Sequence, residues 1–186
     1  MHEPPTITFA GGRLRPLAPS DASAVYAYLS DPAVTALTSY PEVTPAFVDA
    51  MIERAASRWS AGEPSKWSVT IDGDDVAVGV CGFNEVSRAH RWAELAYELA
   101  PSLWGRGIAR GAVQAALGWV FTDGEVDRVH AYVRDDNARS SRLLERCGFT
   151  REGRLRRYRV CRGEARDFDV YALLREEWEG PARHPP

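Results

Sequence analysis

The sequence predicts one mixed α/β domain, with a sheet of about seven strands and about four helices. Three observations carry this. Segments alternating apolar and polar residues interleave with segments whose apolar residues recur at helical spacing. No linker, internal repeat or low-complexity tract breaks residues 1–186. An apolar fraction of 45% over 186 residues is enough for one core without covalent staples.

The Pro-rich ends, "EPP" and "GPARHPP", read as loose termini (1–8 and 179–186) around a core of about 13–178. "RLRPL", from Arg13, is the first strand. Ser20 then offers a helix cap, with Ala22, Val25, Tyr26 and Leu29 on one face. The second helix opens at Thr44 and Pro45, and Val48, Met51, Ile52, Ala55 and Trp59 form its inner stripe. The intervening "SYPEV" has no period to read. "KWSVTID" and "VAVGVCGFNEV" are strands separated by the turn residues "GDD". In the fourth strand, "RWAELAYEL", Ala93, Leu95, Tyr97 and Leu99 oppose Trp92, Glu94, Ala96 and Glu98. Ile108, Ala112, Ala116, Trp119 and Val120 mark a third helix whose small side chains suit close packing on a sheet. "RVHAYV" is the fifth strand. The fourth helix follows in "DNARSSRLLERCGF", with Leu143, Leu144 and Cys147 inward and Gly148 as its left-handed stop. "RLRRYRV" and "DFDVYALL", joined by "CRGE", complete the sheet.

Bulk properties narrow the function. A net charge of -3 gives no reason to expect nucleic acid as a partner. No run approaches the roughly 18 apolar residues of a membrane span, and "MHEPPTITF" lacks a signal pattern, so a cytoplasmic protein with no membrane partner is expected. Cys81, Cys147 and Cys161 form no close pair and read as buried thiols. No His, Asp or Glu cluster has metal spacing, so no metal is expected.

The chemistry concentrates in "LWGRGIARGA", Leu103 to Ala112. A helix N-terminus carries unpaired N–H groups and a partial positive charge that favour an anion. Gly105 and Gly107 let the backbone curl around a phosphate, and Arg106 and Arg110 add charge. The stretch lacks the Lys and Ser/Thr of a nucleotide P-loop. It also has Arg110 where a dinucleotide fingerprint needs glycine.

The stretch resembles the pyrophosphate loop of the GNAT superfamily of N-acetyltransferases, [QR]-x-x-G-x-[GA], with Trp104, Gly105, Arg106, Gly107, Ile108 and Ala109 in its six places. Trp104 departs from the first position but matches the "YWGxGxA" of the RimJ/RimL-type branch, which resembles ribosomal-protein N-terminal acetyltransferases. "NARSSRLLERCGF" is similar to that branch's N-x-x-S-x-x-(V/L)-L-E-(K/R)-x-G-F, through Asn137, Ser140, Leu143, Leu144, Glu145, Arg146, Gly148 and Phe149. "AELAYELAPSLWG" resembles its "AEIGYxLxPxxWG", and "DFDVYALLREEW" its closing strand.

The resemblance implies acetyl-CoA as co-substrate and an amine acceptor, either a small molecule or a protein N-terminus, in a monomer or homodimer. It implies a mixed, mostly antiparallel sheet with a splay between the fourth and fifth strands, where backbone groups of Tyr97, Glu98 and Leu99 bind the pantetheine arm and thioester. Backbone N–H groups of Arg106 to Ala109 would hold the pyrophosphate. Arg110, Arg139, Arg142 and Arg146 are candidates for the adenosine 3′-phosphate. Glu94 is the expected base and Glu98 its alternative. Ser140 would serve the departing thiolate, and Asn137 would bond the pantetheine or a water. Each has a plainer reading: a salt-bridged strand carboxylate, a helix-start cap, a turn residue. Tyr132, Tyr158 and Tyr171 are further proton donors, and His130 could approach the cleft. The acceptor side would come from "LTSYPEVTP" and a final hairpin holding seven arginines between Arg151 and Arg166. These would draw an acidic peptide or a phosphorylated molecule, or guard a sheet edge. A non-catalytic acyl-CoA sensor or scaffold would share the glycine loop without needing a base.

Overall fold

The computed structural model describes residues 3–123, 125–178 and 180. Its strands are β1 (Ile7–Phe9), β2 (Gly12–Pro16), β3 (Lys66–Ile71), β4 (Gly79–Ser87), β5 (Trp92–Leu99), β6 (Arg128–Arg134), β7 (Thr150–Cys161) and β8 (Glu164–Leu174). Its helices are α1 (Ala22–Leu29), α2 (Pro32–Thr35), α3 (Pro45–Ser60), α4 (Ile108–Asp123) and α5 (Ala138–Arg146). The strands form one sheet in the order β1-β2-β3-β4-β5-β6-β8-β7. Every neighbouring pair is antiparallel except β5 with β6.

The sheet has eight strands where about seven were expected. The addition is β1, three residues paired to β2 from Ile7↔Leu14 to Phe9↔Gly12. Residues 7 and 8, expected in a loose terminus, are therefore in the sheet. Of the expected loose ends, residues 1, 2, 179 and 181–186 lie outside the described residues. A fifth helix, the single turn α2, starts where the Asp31 side chain accepts from the Ala33 N–H at 2.8 Å. On α1 the buried tyrosine is Tyr28, whereas Tyr26, expected inside, is exposed; a 3-10 turn over Pro19–Asp21 precedes the helix, and Ser20 makes no cap. Thr44 caps α3 as expected, accepting from Phe47 N–H, and the whole predicted stripe of α3 is buried.

Apolar side chains fill both faces of the sheet. One cluster gathers Trp67, Phe83, Val113, Leu117, Val129 and Leu144 beneath α4 and α5. There the rings of Trp59, Trp67 and Trp119 meet edge to face, with centroids 4.8–5.4 Å apart. The other packs α1, α2 and α3 over Ala77 and Val80. The small face of α4 lets Phe9 come so close that a Cβ on Gly111 would sit 2.5 Å from its ring. No helix of the described residues is long and apolar enough to cross a membrane.

One irregularity positions the site. β5 and β6 pair only at Trp92↔Arg128, Ala93↔Val129 and Glu94↔His130, although they continue to Leu99 and Arg134. At the same level β4 bulges: Phe83 faces Leu95 and Glu85 faces Glu94, leaving Asn84 unmatched. A bulge bends its strand and increases the local twist. Beyond it, β5 follows β4 and parts from β6.

Candidate functional site

At the start of α4, the first intrahelical bond runs from Gly111 N–H to the Gly107 carbonyl at 3.0 Å. The N–H groups of Ile108, Ala109 and Arg110 thus have no acceptor within the helix. Gly105 and Gly107 have φ of 78° and 83°, left-handed values that favour glycine, and a Cβ on either would meet nothing within 4 Å. The backbone is curled around open space. Arg106 and Arg110 are exposed beside it, while the Ile108 side chain is buried in the core, so that residue offers only its N–H. Arg139 lies over the Trp104 indole, 3.6 Å from the ring centroid, and the indole N–H donates to the Leu99 carbonyl at 2.8 Å. Trp104 thereby ties the glycine loop to the end of β5.

From this loop a cleft runs to the parted strands, between Val34 and Leu37 on one side and Ala109, Arg139 and Leu143 on the other. Backbone alternation assigns the open edge of β5. The Arg91 carbonyl accepts from Asp127 on the β6 side, and Ala100 N–H donates to Val78 on the β4 side. Odd-numbered residues of β5 therefore aim their backbone groups toward β6, which leaves those of Tyr97 and the Leu99 N–H on an unpaired edge.

Across the gap, Asn137 caps α5, its Oδ1 accepting from Ser140 N–H at 3.2 Å. The Ser140 Oγ lies 2.5 Å from the Tyr97 hydroxyl. Burial pushes the Tyr97 phenol above its ordinary range, with the Ser140 bond a smaller opposing effect, so the pair remains hydroxylic at neutral pH.

A second cleft opens on the other side of the gap, between β5, β6, the 37–40 loop and β7. The two share Leu37, Thr38, Tyr97, Glu98, Asn137 and Ser140. Both carboxylates of β5 point into the second. Glu94 Oε1 accepts from Asn84 Nδ2 at 2.9 Å and from Arg159 Nη2 at 3.3 Å. Glu98 Oε1 accepts from the Tyr40 hydroxyl at 2.9 Å. Burial, then the nearby Glu98 charge, holds the Tyr40 phenol well above its ordinary range, so it acts as a donor. The Arg159 guanidinium lies 5.2–5.5 Å from the ring centroids of Tyr132, Tyr158 and Phe168. Arg134 bonds the Ala36 carbonyl and ties the loop to β6.

The expected residues divide accordingly. Glu94, Tyr97, Glu98, Leu99, Trp104, Ala109, Asn137, Arg139 and Ser140 line the joined clefts. Arg142 and Arg146 are exposed on α5 and line neither. His130 does not enter the central cleft. It is buried between the Trp92 and Tyr132 rings, in an outer groove with Glu85 and Glu94, and burial lowers its pKa. Tyr132 lines the second cleft, Tyr158 packs against it, and Tyr171 is core. In the hairpin, Arg151 and Arg154 are bound to Asp169, and Arg166 is paired with Glu164. Sequence reasoning missed Asn84, saw Lys66 only as the lone lysine of an arginine-rich chain, and reached Tyr40 and Arg159 only as members of the acceptor-side loop and the arginine hairpin. Among the described residues, no group of three or more His, Cys, Asp or Glu is gathered to hold a metal ion.

A family model described as "Acetyltransferase (GNAT) domain" matches residues 13–150. Over 172 residues the chain is 33% identical to the uncharacterized N-acetyltransferase p20 of Bacillus licheniformis, 90% of this chain and 94% of that one. It is 32% identical to the ribosomal-protein-serine acetyltransferase of Escherichia coli (strain K12) over 101 residues, 54% of this chain and 56% of that one. A solved structure of Mycobacterium smegmatis RimJ in complex with CoA-disulfide is similar at a TM-score of 0.87 and 28% identity, covering 98% of this chain and 94% of that one.

Proposed function

The chain belongs to the acetyltransferase (GNAT) domain family, and from that premise we propose that it moves the acetyl group of acetyl-CoA to a primary amine by direct attack on the thioester. The acceptor is a protein N-terminal α-amine or a small-molecule amine. The observation that carries the reading is the meeting of two clefts at an unpaired strand edge, with hydroxyls on one side and carboxylates on the other.

The chemistry follows from those groups. The curled N–H groups at α4, with Arg106 and Arg110, suit the pyrophosphate, and Arg139, Arg142 or Arg146 the 3′-phosphate. A backbone N–H of Tyr97 or Leu99 polarises the thioester carbonyl and stabilises its developing negative charge. The amine nitrogen bonds to the carbonyl carbon, and its surplus proton passes to Glu94 or Glu98, directly or through water. The C–S bond then breaks. Ser140, backed by the Tyr97 hydroxyl, donates to the departing sulfur, and Asn137 holds the start of α5 in place.

The same reading has one catalytic domain with its core at about 13–178, working in the cytoplasm as a monomer or homodimer, without metal, nucleic acid or membrane. Arg134 and Arg159 in the acceptor cleft disfavour polycationic amines. The test is thiol release from acetyl-CoA over a panel of free-N-terminus peptides, amino sugars, amino acids and polyamines. Amine-dependent release with at least one class is expected. Thermal stabilisation by CoA with no release under any acceptor would refute turnover and favour a sensor.

A further inference from the structure

Lys66 is the chain's only lysine, and it is buried, 9% exposed, on β3. A buried ammonium is costly unless an opposite charge or strong acceptors compensate it. Among the described residues it forms no direct ion pair with a carboxylate; it reaches one through a phenol. Lys66 lies opposite Gly82 on β4, which lies opposite Ala96 on β5. The row between Lys66 and the catalytic strand thus carries nothing longer than a methyl group. Gly82 is obligatory here: its φ is 154°, and a Cβ would sit 2.4 Å from the Ser65 carbonyl oxygen. The Lys66 Nζ lies 3.5 Å from the Tyr40 hydroxyl oxygen and 5.9 Å from that ring's centroid. Tyr40 in turn donates to Glu98 at 2.9 Å. Cation, phenol and carboxylate form a chain of contacts.

The two β5 carboxylates are held differently. Glu94 is bound by a guanidinium and lines the second cleft but not the first, which runs from the glycine loop. Glu98 borders both, and its second oxygen, Oε2, has no hydrogen-bond partner among the described residues. We propose that Lys66 and Tyr40 are positioning residues that hold Glu98, rather than Glu94, as the group that takes the acceptor's proton. The proposal rests on the acyl-transfer reading and deepens it. The proton leaving the nitrogen as the C–N bond forms passes to Glu98 Oε2. The Tyr40 hydroxyl donates to the other oxygen and fixes it, and the Lys66 ammonium donates in turn to that hydroxyl.

The remaining groups around Glu98 fit that assignment. Tyr28 of α1 has a buried hydroxyl with no hydrogen-bond partner, and Cys81 of β4 is fully buried. Burial first, then the Glu98 charge, raises the pKa of both, so neither competes for the proton. Across the cleft, Arg134 of β6 and Arg159 of β7 stay cationic, and Arg159 is engaged by Glu94.

The experiment measures kcat/KM against pH with two acceptor amines of different pKa; the acidic limb that does not move with the acceptor belongs to the enzyme. Lys66→Met and Tyr40→Phe each remove support for the carboxylate anion, so each should shift that limb to higher pH by about one unit. Turnover at neutral pH should fall severalfold, with CoA affinity within about twofold of wild type, and Lys66→Arg should restore part of the limb's position. Glu98→Gln should abolish the limb, whereas Glu94→Gln should lower turnover and leave the limb in place. If Lys66→Met fails to fold, Tyr40→Phe, which loses one hydroxyl, decides alone. A limb unmoved in Tyr40→Phe, or abolished by Glu94→Gln and not by Glu98→Gln, overturns the proposal while acetyl transfer stands. No thiol release by wild type with any amine overturns the acyl-transfer reading and the proposal with it.

Discussion

Asp169 secures the root of the β7–β8 hairpin, and its charge can be removed without changing its shape. Its side chain, 9% exposed, accepts from Arg151 Nη2 at 2.6 Å and from Arg154 Nε at 2.9 Å. Hydrogen bonds from Arg154 and then Arg151 draw its carboxyl from the ordinary 3.8 down to about 2. At about 1.36 kcal/mol per pH unit, that gap of roughly 1.8 corresponds to about 2.4 kcal/mol. Both guanidiniums are more than 40% exposed and screened by water, so roughly half, about 1 kcal/mol, is the figure to expect. A carboxylate with a depressed folded pKa contributes fully above its unfolded pKa, near 3.8, and loses that contribution as pH falls toward 2. Urea unfolding of wild type and Asp169→Asn between pH 7 and pH 3 reads this directly. The variant should be less stable by about 1 kcal/mol from pH 7 to about pH 4, and the difference should shrink below that. A difference under about 0.3 kcal/mol at pH 7, or one that stays constant down to pH 3, would refute the reasoning.

Gly107→Glu puts an anionic side chain into the open space at the start of α4, in a left-handed conformation, and should remove the thermal shift produced by CoA. A shift equal to wild type would detach the loop from the pyrophosphate. Gly111→Ala should cost about 1–3 kcal/mol in urea unfolding, because its Cβ would overlap the Phe9 ring. In a Phe9→Ala background the same change should instead stabilise by up to about 1 kcal/mol through helix propensity; equal costs in both backgrounds would show that Phe9 is not the obstacle.

The parts legible in the sequence are those set by residues close along the chain. The glycine loop, the Thr44 and Asn137 starts of α3 and α5, and the alternating faces of β5 each need only a few consecutive residues, because caps and periodicity are short-range rules. They were enough to indicate an anion at the start of α4 and two carboxylates on one face of a strand. The parting of β5 from β6 and the roles of the "AYELA" and "NARSS" neighbourhoods came only with the family resemblance. β1 went unread because three residues become a strand only when β2 and Gly111 receive them. The bulge at Asn84 exists only as a mismatch between β4 and β5. Tyr40 sits in a loop with no period, Lys66 lies 26 residues further on, and Arg159 is 65 residues beyond Glu94. Their meeting depends on cross-strand register and on which helices cover which face. Local spacing determined which residues share a surface; only packing across the sheet decided which surfaces meet, since no short-range rule correlates side chains so far apart along the chain.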